Sequence, residues 1–166
     1  MRKRKLGNSS LFVSELAIGS INFGGKVDSS LATRILDDAY EKGINLVDTS
    51  EVYPTPFSES NYGKTEKIVG KWIKNKNRDS IVISTKAAGP GEFINWIRGG
   101  KSIHNLKNLR SAVEGSLKRL GTDYIDIFSL NWPDRAINSS DIFFEESQKK
   151  KDFSIEETSD ALLTLI

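Results

Sequence analysis

The stretch Gly43-Ile-Asn-Leu-Val-Asp48-Thr-Ser-Glu-Val-Tyr53 carries the pattern on which the predicted fold depends. Its apolar part, residues 44–48, is a short run that begins after a glycine and ends in a carboxylate. Such a run between turn residues is typical of a buried strand in a parallel sheet. We therefore expect Asp48 to lie at the carboxyl end of a strand, with Tyr53 in the loop that follows.

The same alternation of strand and helix continues on both sides of this stretch. Further strands are predicted at residues 15–19, 80–86 and 124–130, and residues 2–13 are predicted to form a hairpin. Helices with apolar stripes follow the strands, and their first residues or caps are predicted at Asp28, Thr65, Leu106 and Ser154, the last paired with Glu157 in a capping box. Successive strand–helix units favour a parallel α/β sheet with right-handed crossovers.

Two predicted connections are longer than is usual in such a sheet. The first covers residues 87–104 and contains Phe93 and Trp96, whereas the second covers residues 134–153 and is polar. Both follow the carboxyl end of a predicted strand, where long loops shape substrate sites in folds of this class. The alternative interpretation is that both are variable surface insertions.

The composition is that of one globular domain over residues 1–166, with 37% hydrophobic and 28% charged residues. Lys and Arg number 24 against 22 for Asp and Glu, and this balance predicts no nucleic-acid or membrane partner. Without cysteine the chain has no disulfide or thiol chemistry, and with His104 as its one histidine we predict no metal site. We find no secretory signal and expect a cytoplasmic protein.

Four polar residues at the predicted strand ends form the candidate catalytic set: Asp48, Tyr53, Lys86 and Asn131. Carboxyl ends of parallel strands share one edge, so these groups are expected to meet there. A phenol has a pKa near 10, and the Lys86 ammonium is expected to lower it, with Asp48 holding Lys86 in place. Asn131 could donate an N–H to the same carbonyl oxygen. Each residue alone also fits an ordinary turn, core or surface role.

The predicted first strand ends in Gly19-Ser20, at the same expected edge. A glycine at this place would allow a flat ligand to approach the backbone closely. A simple turn explains the pair equally well.

Several ordered motifs together resemble the amino-terminal half of an aldo-keto reductase. Residues 6–20 are similar to the opening hairpin and first strand of that family, and residues 43–53 to its Asp/Tyr signature. Residues 79–86 resemble its lysine strand, and residues 117–127 its third helix and fourth strand. The resemblance covers essentially the whole chain and is greatest to a bacterial NADP-dependent branch.

The resemblance implies a (β/α)₈ barrel, the TIM-barrel fold, that passes hydride between NADPH and a small carbonyl substrate. It implies that Tyr53 is the acid/base and that Lys86 and Asp48 tune it. Residues expected to contact the cofactor are Gly19, Ser20, Asp48 and Asn131.

Two features depart from the family pattern. Asn131 stands where the family pattern has histidine, and an amide cannot take a positive charge. The chain has 166 residues, whereas an eight-stranded barrel needs about 250. We therefore expect the amino-terminal half of a barrel, about four parallel strands with their helices, truncated before the fifth strand and inactive alone.

Two alternatives to an enzyme fragment remain open at this point. One is a non-catalytic relative that binds a nucleotide or a partner protein, with Asn131 marking lost chemistry. The other is a half-barrel that pairs with a complementary half or with a second copy of itself, because an open sheet leaves unpaired edges.

Overall fold

A small antiparallel hairpin begins the chain, which the computed structural model describes over residues 1–100, 102–133 and 154–166. Strand β1 (Lys3–Lys5) pairs with β2 (Phe12–Ser14), and Arg4 lies opposite Val13. The predicted hairpin is therefore confirmed.

Four parallel strands form the central sheet in the order of the chain: β3 (Ala17–Gly19), β4 (Leu46–Asp48), β5 (Val82–Ala87) and β6 (Ile127–Leu130). The strands begin two or three residues later than the sequence predicts but end within one residue of the predicted position. The apolar runs therefore predict strand ends better than strand starts. This is the sheet expected for half of an α/β barrel.

The register brings the carboxyl ends of the strands to one edge of the sheet. Gly19 lies opposite Asp48, Asp48 lies opposite Ser84, and Lys86 lies opposite Ser129. We call this carboxyl edge, marked by Gly19, Asp48, Lys86 and Asn131, the rim.

Helices follow the strands as predicted: α1 (Ser29–Glu41), α2 (Lys64–Ile73), α3 (Leu106–Leu120) and α4 (Ile155–Leu163). Short 3₁₀ turns occupy Arg78–Ser80, Glu92–Ile94 and Ile97–Gly100. Asp28 accepts a hydrogen bond from the Leu31 N–H, and Ser154 and Glu157 form a capping box, so both predicted caps are confirmed. Within the described residues, no helix is both long and apolar enough to cross a bilayer.

The predicted cap of α2 at Thr65 is wrong. The cap position lies two residues earlier, at Gly63, which adopts a left-handed conformation with φ 68° and has no side chain to cap with. Thr65 is fully buried, and its hydroxyl donates a hydrogen bond of 2.7 Å to the Phe23 carbonyl. A tertiary contact, which the sequence pattern does not reveal, takes the hydroxyl that a cap would have used.

One face of the sheet is covered by helices, and this orients the rim. Val47 and Ile83 are buried in one apolar cluster with Leu36 of α1 and Val69 of α2. Successive side chains of a strand point to opposite faces, so Asp48 and the residues in register with it point away from the helices. The second predicted long loop, residues 134–153, lies outside the described residues.

Candidate active site

The Asp48–Lys86 ion pair lies at the centre of the rim. The Lys86 Nζ donates to the Asp48 Oδ2 at 2.6 Å and to the Thr49 carbonyl at 2.8 Å. The Asp48 Oδ1 accepts from the Ser84 hydroxyl at 2.9 Å. Charge-assisted bonds of this kind are about twice as strong as neutral ones, so the ammonium is held in a defined position.

Tyr53 lies beside this ion pair and is half-buried. The Lys86 Nζ is 5.3 Å from the centre of the Tyr53 ring, and the ring stacks on Phe57 with centres 6.5 Å apart. No described residue is hydrogen-bonded to the Tyr53 hydroxyl. The hydroxyl is therefore free to donate its proton to an incoming oxygen.

The pKa of Tyr53 is shifted in the direction opposite to the one expected from the sequence. Burial raises the pKa of the phenol, and the Asp48 carboxylate raises it further. The expected lowering by Lys86 is not found because the Lys86 charge is compensated by its short bond to Asp48. Tyr53 thus stays protonated at neutral pH, which is the state that a proton donor requires.

Asn131 is held at the rim by a short chain of hydrogen bonds. Its backbone N–H donates to the Ala87 carbonyl at 2.8 Å, and its side-chain Nδ2 donates to the Ser50 hydroxyl at 3.2 Å. The Ser50 hydroxyl donates its own proton to the Lys86 carbonyl at 3.2 Å, so it accepts from the amide. This polarity orients the amide and leaves its second N–H for a further acceptor. Sequence reasoning missed Ser50.

Gly19 and Ser20 differ in what they offer to a ligand. Gly19 is exposed, and a methyl group built on it would meet nothing within 4 Å, so the rim is open above β3. Ser20 is fully buried, and its hydroxyl donates to the Asp48 carbonyl at 2.6 Å. Gly19 therefore leaves space for a flat ring, whereas the Ser20 hydroxyl is already used to fix the turn.

A row of aromatic rings extends from Tyr53 along the loop after β5. Phe57 stacks with Phe93 at 6.2 Å between ring centres, and Phe93 contacts Trp132 at 5.6 Å. We call Phe57, Phe93 and Trp132 the aromatic wall. The long loop predicted from residues 87–104 therefore contributes an apolar surface beside Tyr53.

Buried ionic groups beneath the rim were missed by the sequence analysis. The carboxylates of Glu51 and Glu66 are fully buried, and they pair with Arg98 and Arg119 respectively. The available signal was the position of Glu51 between Asp48 and Tyr53, but an isolated Glu gives no indication of its partners. Within the described ranges, no group of three or more His, Cys, Asp or Glu side chains is arranged to hold a metal ion.

The match to a family model identifies the class to which this fold and rim belong. The model of the aldo/keto reductase family matches residues 15–166. The chain therefore belongs to the aldo/keto reductase family, which comprises oxidoreductases.

Curated relatives agree with this assignment. The chain is 39% identical over 140 residues to "Protein tas" of Escherichia coli K12, covering 83% of this chain and 40% of that protein. It is 38% identical over 136 residues to "Uncharacterized oxidoreductase YrpG" of Bacillus subtilis, covering 78% of this chain and 40% of that protein. The match thus spans about two fifths of the length of these relatives.

Solved structures give the same fold. The aldo-keto reductase AKR11C1 from Bacillus halodurans, in its holo form, is 33% identical with a TM-score of 0.71, covering 99% of this chain and 46% of that one. The thermostable aldo-keto reductase Tm1743, in complex with the inhibitor epalrestat, is 24% identical with a TM-score of 0.69, covering 99% and 49%. The second likeness bears on the fold alone. Because about half of each structure is matched, the predicted half-barrel fold is confirmed.

His104 lies immediately before the residue that caps α3 and is 1% exposed. Burial lowers the pKa of His104 to about 4, and the positive charge of Arg98 contributes to the shift. The buried imidazole is therefore neutral at physiological pH.

We expect the His104 imidazole to titrate near pH 4, far below the ordinary histidine value of 6.5. Because the folded pKa is depressed, the contribution of His104 to stability is full above pH 6.5 and is lost as the pH falls toward 4. NMR of this single histidine measures the midpoint directly in the folded chain. A midpoint near 6.5 while the chain is folded would contradict the burial of the ring.

Proposed function

We propose that this chain carries the proton-donating end of an NADPH-dependent carbonyl reductase. The observation that supports the proposal is a protonated, unengaged Tyr53 hydroxyl beside the fixed Asp48–Lys86 ion pair. A positioned acid of this kind contributes about 10² to 10⁴ in rate.

The proposed reaction assigns one task to each rim residue. Bound at this edge, NADPH would be the source of the hydride that the carbonyl carbon accepts. Tyr53 donates its proton to the carbonyl oxygen, and Lys86, whose ammonium lies beside the phenol ring, offsets part of the Asp48 charge that opposes the tyrosinate which remains. The free N–H of Asn131 would donate to the same oxygen and stabilise charge that develops there. Asp48 keeps Lys86 in place.

The rim residues fit the nicotinamide end of such a cofactor. Gly19 leaves open space for a flat ring, and Asp48 and Asn131 supply polar groups at the same edge. The related AKR11C1 was solved in its holo form, which agrees with a cofactor site in this fold. The preference for NADPH rests on the family resemblance alone. In that family the main contacts to the phosphate and adenine of the cofactor come from strands that follow the fourth.

The substrate class follows from the aromatic wall. Its rings continue from Tyr53 to Phe57 and Phe93, so the surface next to the proton donor is apolar. Apolar walls with few polar groups are usual in small-molecule sites. We infer a small apolar carbonyl compound as substrate.

A cytoplasmic location stays a prediction from the sequence.

We further propose that the site is complete only when a complementary half-barrel covers the sheet. The chain spans about half of the solved relatives, and among the described strands β3 and β6 are the outer ones of the sheet. Unpaired strand edges favour association with another chain. Phe12 and Leu16, near the opposite end of the sheet, are also largely exposed. A second copy of this chain is the partner that is most simply tested.

Asn131 supports a second candidate function, a relative that binds its ligand without turnover. An amide donates a hydrogen bond but cannot carry the charge of a histidine. The two candidates differ in whether the rim still catalyses proton transfer.

Replacing Tyr53 by Phe tests the acid/base role. In a form of the protein that reduces carbonyl compounds, we expect Tyr53→Phe to lower kcat about 10²-fold or more, since only the proton donor is removed. The rate is followed by the oxidation of NADPH. Tyr124→Phe is the matched control, because Tyr124 precedes β6 at the opposite edge of the sheet. Full activity of Tyr53→Phe would reject the assignment.

Replacing Asn131 by His separates the two candidate functions. If the site is weakened but catalytic, we expect Asn131→His to raise kcat, because an imidazole can donate a stronger hydrogen bond to the oxygen. Steady-state kinetics with one carbonyl substrate measures the change. An unchanged rate at undiminished NADPH affinity would favour the binding protein.

The isolated chain tests the need for a second half. We expect neither micromolar NADPH binding nor carbonyl turnover from a monomer of this chain, since it spans only half of its relatives. NADPH fluorescence titration measures binding, and sedimentation measures the size of the species. A clean monomer with turnover would overturn the proposal, whereas turnover by a dimer would support pairing between copies.

A further inference from the structure

The Glu51 carboxylate is surrounded by donors from three separate parts of the chain. It accepts from the Ala88 N–H at 2.7 Å, from the Tyr62 hydroxyl at 2.8 Å, and from the Arg98 guanidinium at 2.6 Å to both oxygens. The side chain is fully buried. Glu51 lies two residues before Tyr53, so this carboxylate connects the Tyr53 segment to the loop after β5.

Arg98 supplies the other half of this connection at a cost to its own backbone. Its side chain is 9% exposed, and its guanidinium also donates to the Ala88 carbonyl at 3.1 Å. Its φ of 48° places it in the left-handed region, the only residue other than glycine with a positive φ in the described part of the chain. Such a conformation is unfavourable for a residue with a side chain and is kept only where the surroundings impose it.

A second buried pair connects the same region to the strand of Lys86. Arg119 of α3 donates to Glu66 of α2 at 2.5 Å, and the other Glu66 oxygen accepts from the Thr85 hydroxyl at 2.6 Å. Thr85 directly precedes Lys86. One ion pair therefore includes a residue of the Tyr53 segment, and the other is bonded to the strand that carries Lys86.

We propose that Arg98 is a positioning residue, which through the Glu51–Arg98 ion pair holds Phe93 of the aromatic wall against Phe57, next to Tyr53. The catalytic consequence of this inference rests on the proposed function. The position of the loop that carries Phe93 does not depend on that function. Residues 88–98 close on themselves through this pair, and Phe93 lies inside the closed segment. Loss of the pair would release Phe93 from its ring contacts with Phe57 and Trp132.

Stability alone is a poor reason for this pair. A buried ion pair is often no more stabilising than apolar residues of similar volume, because both charges lose their hydration. Here the cost of a left-handed arginine is added. Apolar residues could not reproduce the fork of hydrogen bonds from the two guanidinium nitrogens, in which Nη1 donates to Glu51 and Nη2 to the Ala88 carbonyl and which fixes the direction in which the loop returns.

The test compares two double variants that each remove one ion pair, the first buried and the second partly buried, without leaving a lone charge. Glu51→Gln/Arg98→Met removes the proposed positioning pair. Asp126→Asn/Arg78→Met is the matched control, since the Arg78–Asp126 pair, with 2.7 Å between its charged atoms, lies before β5 and β6 at the opposite edge. Urea unfolding of the full chain gives the stability of both.

Tryptophan quenching reports the position of the loop without any need for activity. Trp96 lies in the loop and Trp132 in the aromatic wall, while Trp72 is buried in α2. We expect acrylamide quenching to rise by about twofold in Glu51→Gln/Arg98→Met as the segment opens locally, and to stay unchanged in the control. Unchanged quenching in the folded first variant, or an equal rise in both, would overturn the proposal.

Arg98→Lys keeps the test decisive if the first double variant does not fold. Lysine keeps the charge but not the fork, so we expect quenching between that of the native chain and that of an exposed loop. Native quenching in Arg98→Lys would show that the fork does not place the loop and would reject the proposal.

Kinetics connects this placement to the reaction. In a form that reduces carbonyl compounds, we expect Arg98→Lys to lower kcat about tenfold or more with the KM for NADPH unchanged, because misplacement affects the reacting geometry. If kcat is unchanged while quenching rises, the pair places the loop but not the reacting groups, and the positioning role is rejected. If no form turns over, the proposed function fails, whereas the quenching result still decides the placement.

Discussion

The chemistry proposed for the rim depends on Asp48 being bonded on both sides. Its carbonyl accepts from the Ser20 N–H and hydroxyl, and its carboxylate accepts from Ser84 and Lys86. One residue of β4 thereby ties the end of β3 to the end of β5. The same bond that fixes the Lys86 ammonium also reduces its effect on the pKa of Tyr53, so the geometry and the electrostatics of the site have a common origin.

Strand ends were the part of the structure that the sequence predicted best. Apolar runs that finish in a polar residue located Asp48 and Lys86 at the rim, because the register of a parallel sheet follows once the strands are known. Local patterns also predicted the caps at Asp28 and Ser154, since a cap bonds within its own first turn. Signals that reach only a few residues along the chain are readable from one sequence.

Features that depend on distant partners were not predictable. Thr65 is of a residue type that often caps helices, yet its hydroxyl donates to the carbonyl of Phe23, which lies 42 positions away. Glu51 and Arg98 are 47 positions apart, and nothing local marks either residue as buried. The pKa of Tyr53 was expected to fall because the sequence indicates which charges come near, but not that Asp48 already neutralises Lys86.

Arg98 illustrates a conflict between the main chain and the side chain at one position. Gly99 and Gly100, which follow it, also have positive φ, so three consecutive residues turn left-handed and two of them are of the type suited to it. Glycine at position 98 would relax the main chain but would leave the buried Glu51 carboxylate with only the more distant Arg119 guanidinium, 4.0 Å away, in place of Arg98 at 2.6 Å. Arginine at this position neutralises the buried Glu51 carboxylate although glycine would suit the main chain better. The substitutions that this position tolerates are therefore limited by the buried charge and not by the backbone conformation.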